Sequence, residues 1–453
     1  MAGPVERDSA QAGLSGNRCG AAQSGLSRRR ALGLSAVSLL GARAGYRRPN
    51  LILLLTDDQR FDTVRALGNP HIRTPNLDRL ARSGFVFRNA YCMGSNVPAV
   101  CLPSRNMLLS GRAYFRFERY ASGRDANLAD SLREAGYYTW HYGKRGNSAL
   151  EIHKRFDFSR YLNDEADRTS GEPGREIVDQ AIAFLRSRPP GRPFFLYLAF
   201  ANPHDPRVAA PHYLAMYRAE RIPLPRNYLP IHPFDNGEMK VRDELLAPWP
   251  RTPQEIRRHL REYYAVISGL DFHIGRLLRV LEELRLYENT LFVFSSDNGL
   301  ALGSHGLMGK QSLYEHSMKV PLVLSGPGVP QGESRALVYL LDVYPTLLDL
   351  IGASIPPGLD GLSLKPILSG QARAVRDTLF TAYRDVQRAI RDERWKLILY
   401  PHIGRAQLFD LRRDPEETRD LSAEPHHAPV IKRLKQRMEE WQRRLGDRLT
   451  ISD

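Results

Sequence analysis

Apolar runs closed by polar clusters recur along this chain. Leu51-Ile52-Leu53-Leu54-Leu55 follows Pro49-Asn50 and ends at Thr56-Asp57-Asp58-Gln59-Arg60. Tyr137 to Tyr142 ends at Gly143-Lys144, and Pro193 to Ala201 ends at Asn202-Pro203-His204-Asp205-Pro206. Thr290 to Ser296 ends at Asp297-Asn298-Gly299. Such runs, bounded by turn residues, predict strands buried on both faces of a covered sheet. A further strand is predicted at Pro321 to Leu324. Helical periodicity fills the intervals: Thr74 to Ala81 started by Pro75, Asn127 to Ala135 stopped by Gly136, Arg175 to Arg186, Thr252 to Tyr287, and Leu340 to Ile351. Strands alternating with helices predict an α/β fold, a large mixed and mostly parallel sheet flanked by helices.

The pattern changes after about Leu364. Asp377 to Tyr383, Gln387 to Arg391, Trp395 to Tyr400 and Ala406 to Leu411 read as short antiparallel strands, and Val430 to Arg444 as a terminal amphipathic helix. The expected organisation is a catalytic α/β domain over 45–364 and a small C-terminal antiparallel α+β domain over 365–453. Residues 207–250 are proline-rich and irregular. With the 113–126 loop they are expected near the site, where specificity resides.

The first 44 residues read differently. Ser27-Arg28-Arg29-Arg30-Ala31-Leu32, the apolar run Gly33 to Gly41 and Ala42-Arg43-Ala44 have the order of a bacterial twin-arginine export signal. The expected location is therefore periplasmic or secreted. The chain of 453 residues carries +15; this leader holds six arginines against two acids, so the remainder keeps +11. A surplus of that size suits an anionic partner. No nucleic-acid recognition motif is present, and the mature part has no stretch long enough to span a membrane. An anionic substrate is the expectation. The pattern sets no oligomeric state.

Three cysteines are present, and Cys19 belongs to the leader. Cys92 and Cys101 remain, and in an oxidising compartment they have the option of pairing. Cys101 also precedes Leu102-Pro103-Ser104-Arg105, where proline suits the first turn of a helix. There it feels the positive end of the helix dipole, with Arg105 one turn on. A buried structural cysteine fits the local sequence as well. The strand ends bear on the choice. If the strands share one sheet, Asp57, Asp58, Asp297 and Asn298 meet at one edge. Such oxygen donors suit one divalent cation, Ca²⁺ or Mg²⁺, and the lack of clustered histidines and cysteines argues against zinc. Paired helix-capping aspartates are the plainer reading of Asp57-Asp58. Arg105, Lys144, His204 and Lys310 would surround an anion at the same edge.

Cys101-Leu102-Pro103-Ser104-Arg105 with Leu109-Ser110-Gly111-Arg112 resembles the signature of the type I sulfatases, of the alkaline-phosphatase-like superfamily. The resemblance extends over most of 49–424. It includes Thr74-Pro75-Asn76-Leu77-Asp78, Gly143-Lys144, Pro203-His204-Asp205-Pro206, Ser296-Asp297-Asn298-Gly299, Gly309-Lys310-Gln311 and Trp395-Lys396-Leu397. It implies that a formylglycine-generating enzyme oxidises Cys101 to an aldehyde. It implies that Asp57, Asp58, Asp297 and Asn298, with the modified Cys101, hold one divalent metal, Ca²⁺ by preference. The hydrated aldehyde would attack the sulfur of a sulfate ester, and its second hydroxyl would expel sulfate. Arg105, Lys144 and Lys310 would neutralise the sulfate oxygens, and His204 with Lys310 would protonate the departing alcohol. The substrate implied is a sulfated carbohydrate or another extracellular organosulfate. A phosphoester or phosphonate-ester hydrolase on the same scaffold, and a non-catalytic binder of sulfated glycans, are the alternatives. One departure stands out. The family usually has a histidine two or three residues after this lysine, and Lys144-Arg145-Gly146-Asn147-Ser148 has none. His141 and His153 are near in sequence, His141 being expected as a structural residue. His305 is expected either to line the pocket or to sit in a solvated loop.

Overall fold

The apolar run Asn50–Thr56 becomes the central strand β1, buried throughout. In chain order the others of its sheet are β2 (Phe85–Tyr91), β4 (Tyr138–Gly143), β5 (Phe158–Tyr161), β6 (Phe194–Ala199), β7 (Thr290–Ser296), β8 (Lys319–Val320), β9 (Leu322–Ser325) and β10 (Gly332–Tyr339). A second sheet holds β3 (Gly94–Ser95), β11 (Leu379–Tyr383), β12 (Gln387–Arg391), β13 (Trp395–Tyr400) and β14 (Arg405–Asp410). The computed structural model describes residues 48–117 and 125–450. The expected export leader over 1–44 and part of the 113–126 loop lie outside the described residues.

The large sheet runs β10-β2-β9-β7-β1-β6-β4-β5, with β8 beside β2. β1 is parallel to both β6 and β7, and β4 is parallel to β5 and β6. Only β8 and β9 run against their neighbours. The sheet is mixed and mostly parallel, as its apolar runs predict. The pattern missed β2, β5, β8 and β10. Of these β5 and β10 are the edges, and the first half of β10, Gly332-Glu333-Ser334-Arg335, is largely exposed. Such strands lack the continuous apolar run that marks a central one.

Both faces are covered. Ile52, Leu54, Leu196 and Leu198 pack with Ile177 and Val178 of the Arg175–Ser187 helix and Leu270 and Leu277 of the Pro253–Glu283 helix. The other face puts Leu51, Leu53 and Leu55 in one apolar cluster with Phe380, Leu397 and Leu408 of the second sheet. Each such side chain contributes about 2 kcal/mol when withdrawn from water. The second sheet takes its four antiparallel strands from beyond Leu364 and recruits β3 parallel to β11. A Cβ at Gly94 would lie 2.0 Å from the Ala382 carbonyl oxygen, so only glycine allows this seam. Residues Arg48–Asp453 form one compact unit.

The expected helix after Thr74 spans Pro75–Ser83, but Thr74 does not cap it. Asp271, from the long helix, accepts from the Asn76 and Leu77 backbone N–H groups at 3.2 and 2.7 Å. A distant carboxylate thus satisfies donors that helix ends leave open.

Candidate active site

The registers Leu55↔Ala199, Thr56↔Ser296 and Gly143↔Ala199 bring the carboxyl ends of β1, β6, β7 and β4 to one level. The polar residues that follow therefore share one edge of the sheet, where ligands collect in folds of this kind. Two backbone details sharpen the placement. A Cβ at Gly143 would lie 2.2 Å from the Ala199 carbonyl oxygen, so glycine lets β4 deliver Lys144 alongside β6. Asp58 takes a left-handed conformation, φ 65°. It is pinned by its N–H to Asp297 Oδ1 at 3.1 Å and by the Tyr263 hydroxyl donating to its carbonyl at 2.5 Å. Non-glycine residues adopt this geometry at a cost of about 1 kcal/mol, a common feature of functional sites.

The helix Cys101–Ser110 completes the site, with Cys101 as its first residue. It closes at Gly111, φ 67°, whose N–H reaches the Met107 carbonyl. Residues at i, i+3 and i+4 share a helix face. Accordingly Ser104 Oγ donates to the Asp297 carbonyl at 2.5 Å, and Arg105 Nε donates to Asp297 Oδ2 at 2.7 Å. Cys101 Sγ lies 3.2 Å from Asp57 Oδ1, 3.7 Å from Asp58 Oδ1, 3.6 Å from Asn298 Nδ2 and 3.3 Å from Lys310 Nζ. Lys310 Nζ reaches the two Asp58 oxygens at 2.7 and 2.8 Å, and the Lys144 ammonium rests on Asp57 Oδ2. His204 Nε2 stands 3.8 Å from Asp58 Oδ2. Asp57, Asp58, Cys101, Arg105, Lys144, His204, Asp297, Asn298 and Lys310 thus meet in one cluster. Cys92 is not bonded to Cys101: both are free thiols, and Cys92 Sγ sits 3.8 Å from Met318 Sδ.

Burial sets the electrostatics. It would raise the Asp57 carboxyl, but Lys144, His204, Arg105 and Lys310 together hold it well below its ordinary range. For Asp58 burial prevails over Lys310, and the carboxyl is pushed up to about 6. Asp297 also reaches about 6, through burial and the nearby Asp57 charge. Burial, Asp297 and Asp57 drive the Cys101 thiol well above its usual range. It is therefore a neutral thiol, a poor nucleophile. Burial and Lys310 bring His204 down to about 4, so its imidazole is neutral at pH 7. Lys310 stays charged, because Asp58 overcomes its burial.

Oxygen and sulfur atoms of Asp57, Asp58, Cys101 and Asp297 lie within 4.8 Å of one another. Asn298 Oδ1 is buried with no hydrogen-bond partner. Three carboxylates and an unpartnered amide oxygen fit a hard divalent cation.

Where the family's histidine is expected, the backbone engages a carboxylate instead. The Arg145 and Gly146 N–H groups both donate to the Asp164 carboxylate, at 2.9 and 2.7 Å. A Cβ at Gly146 would lie 3.0 Å from Asp164 Oδ2. His141 and His153 do not take that place. They stack on each other at 3.8 Å, fully buried, and burial keeps both imidazoles neutral. His305 neither lines this site nor meets solvent: it stacks on Tyr314 at 4.0 Å, and its Nε2 lies 2.9 Å from the Glu417 carbonyl oxygen.

Sequence reasoning missed three residues of the 207–250 segment. Glu244 accepts from the Met308 and Gly309 N–H groups at 2.9 and 2.8 Å and so braces the loop carrying Lys310. Asp243 Oδ2 lies 4.0 Å from Lys310 Nζ, and Arg242 spans Asp243 and Asp205. An aperiodic, proline-rich stretch carries no signal for such contacts.

The profile of the sulfatase family matches residues 49–353. The chain belongs to the sulfatase family. A second profile, the C-terminal region of N-sulphoglucosamine sulphohydrolase, matches residues 303–444 of this sulfatase. An arylsulfatase of Clostridium perfringens is 29% identical over 438 residues, covering 83% of this chain and 90% of its own. An N-acetylglucosamine-6-O-sulfatase of Bacteroides thetaiotaomicron is 27% identical, covering 92% and 91%. A solved structure of a protein with its substrate D-glucosamine-2-N,6-O-disulfate superposes with TM-score 0.74 at 25% identity, covering 89% of this chain and 99% of that one. The phosphonate monoester hydrolase of Agrobacterium radiobacter shares the fold, with TM-score 0.76 at 20% identity over 88% of this chain and 96% of its own. The sulfatase is thus a sulfuric ester hydrolase by family.

Proposed function

We propose that this sulfatase hydrolyses the sulfate ester of an anionic carbohydrate, using formylglycine made from Cys101 and one divalent cation. Asp57, Asp58, Asp297 and Asn298 would hold the cation, Ca²⁺ by preference, since a cage built mostly of protein oxygens suits it better than Mg²⁺. The cation would neutralise the carboxylates and acidify a neighbouring hydroxyl. A hydrated aldehyde at position 101 would supply a hydroxyl to attack sulfur and a second to expel sulfate, which a thiol cannot do.

The observation that carries this reading is the position of Cys101. Its sulfur stands within 3.7 Å of Asp57, Asp58, Asn298 and Lys310 at a helix start, yet its thiol is inert. The place would suit a nucleophile, and the neutral thiol is a poor one. The chain's own residues would do the rest. Arg105 fixes Asp297 and lies 3.7 Å from Asp57 Oδ1. Lys144 and Lys310 would turn from the carboxylates toward the sulfate oxygens as charge builds there. His204 is neutral in the free protein; an adjacent sulfate anion would raise its proton affinity and let it protonate the departing alcohol.

Maturation by a formylglycine-generating enzyme and export by the leader belong to the same reading. Cys101 is 1% exposed in the fold, so the enzyme would act before folding. Parallel assays on 4-nitrophenyl sulfate and 4-nitrophenyl phosphate test the reaction. Faster cleavage of the sulfate is expected; faster cleavage of the phosphate would favour the phosphoester alternative.

A further inference from the structure

Arg242 stands on the 207–250 segment with its side chain 60% exposed, held by two carboxylates that are almost fully buried. Asp205 takes the end of the guanidinium: Nη1 lies 3.2 Å from Oδ1, and Nη2 contacts Oδ2. Asp243 Oδ1 accepts from Nη1 at 3.0 Å. A guanidinium carries five N–H groups in a fixed plane. Three are engaged here. The remaining two, on Nε and Nη2, lie side by side on one edge, and among the described residues neither has a partner. Such an edge takes an oxyanion through two parallel hydrogen bonds.

The same carboxylates face the reacting groups. Asp205 Oδ1 lies 3.5 Å from His204 Nδ1, and Asp243 Oδ2 lies 4.0 Å from Lys310 Nζ. One carboxylate therefore separates Arg242 from each. Arg207 adds a second positive charge near Asp205, so the two acids do not leave this rim anionic. The double anchor also fixes a long, exposed side chain that would otherwise lose rotamer freedom on binding.

We propose that Arg242 is a specificity-determining residue whose free Nε/Nη2 edge receives a second oxyanion of the substrate, a sulfate or carboxylate beside the scissile sulfate. This rests on the sulfate-ester reading above and deepens it: the preferred substrates are polyanionic sugars.

The test is calorimetric titration of the metal-loaded Cys101→Ser protein, which binds without turnover, with glucosamines sulfated singly and doubly at N, O3 and O6. At least one disulfated sugar is expected to bind about tenfold or more tighter than its monosulfated counterparts, the scale of a charge-assisted hydrogen-bond pair. Arg242→Lys keeps the charge without the fork, and Arg242→Gln removes the charge. Both are expected to shrink that gap to about threefold or less. A gap that survives both substitutions, or no preference for any disulfated sugar, overturns the proposal. Turnover of 4-nitrophenyl sulfate by the matured parent chain is read separately; its absence would count against the sulfate-ester reading itself.

Discussion

At the scale of the residue, one cysteine and two aspartates carry most of the proposed chemistry. Cys101→Ala removes the proposed aldehyde while leaving the helix intact. Its expected effect is a loss of at least about 10³-fold in kcat for 4-nitrophenyl sulfate, with the melting temperature within a few degrees of the parent. Asp58 and Asp297 make a second prediction. Each carboxyl is raised to about 6 in the metal-free fold, so below that pH each carries a proton that a cation must displace. Ca²⁺ affinity is then expected to fall as pH drops below 6, by about tenfold per pH unit for one proton and about 100-fold for two. Titrations at pH 5, 6 and 7 read it directly; an affinity independent of pH would contradict the site. Asp57, already held well down, adds nothing to this slope.

At the scale of the element, the strand ends position the site, and Gly143 is the narrowest point. Gly143→Ala would drive a Cβ to 2.2 Å from the Ala199 carbonyl oxygen. Either β4 or β6 must shift, and Lys144 with it. We expect a destabilisation of about 2–4 kcal/mol in denaturant unfolding, with activity lost beyond what stability explains. Glu244→Gln acts on a different element. It weakens the brace on Met308 and Gly309 and leaves the buried Arg251 guanidinium, 2.8 Å away, without its counter-charge, so kcat and melting temperature should fall together. This division shows what the sequence made legible. β1, β6 and β7 are buried on both faces, so hydrophobicity alone marks them, and their ends located Asp57, Asp58, His204, Asp297 and Asn298. Edge strands such as β10 are half solvated and lacked that mark. The irregular 207–250 segment has no period. Asp243, Glu244 and Arg242 are fixed by contacts more than 35 residues away, to Asp205, Met308 and Lys310, and no local pattern encodes those.

At the scale of the whole molecule, the two sheets depend on each other. Gln387 of β12 accepts from the Leu313 N–H at 3.2 Å, and Glu417 accepts from the Glu315 N–H at 2.7 Å. Both residues steady the loop that follows Lys310. Lys396 of β13 bridges Glu315 and Glu417 at 3.0 and 2.8 Å. With one apolar core between the sheets, heat is expected to unfold both in a single transition, seen alike by fluorescence and circular dichroism. A chain ending at Leu364 is expected to lack that transition. The proposed maturation would also be tied to time, because the fold buries Cys101. The central claim, that this buried cysteine is the precursor of the nucleophile, meets its most direct test in peptide mass spectrometry of the 101 region from the most active fraction of the protein. An aldehyde at position 101, in a proportion that tracks specific activity on 4-nitrophenyl sulfate, is the result expected. A fully active protein carrying an unmodified thiol at position 101 would contradict it.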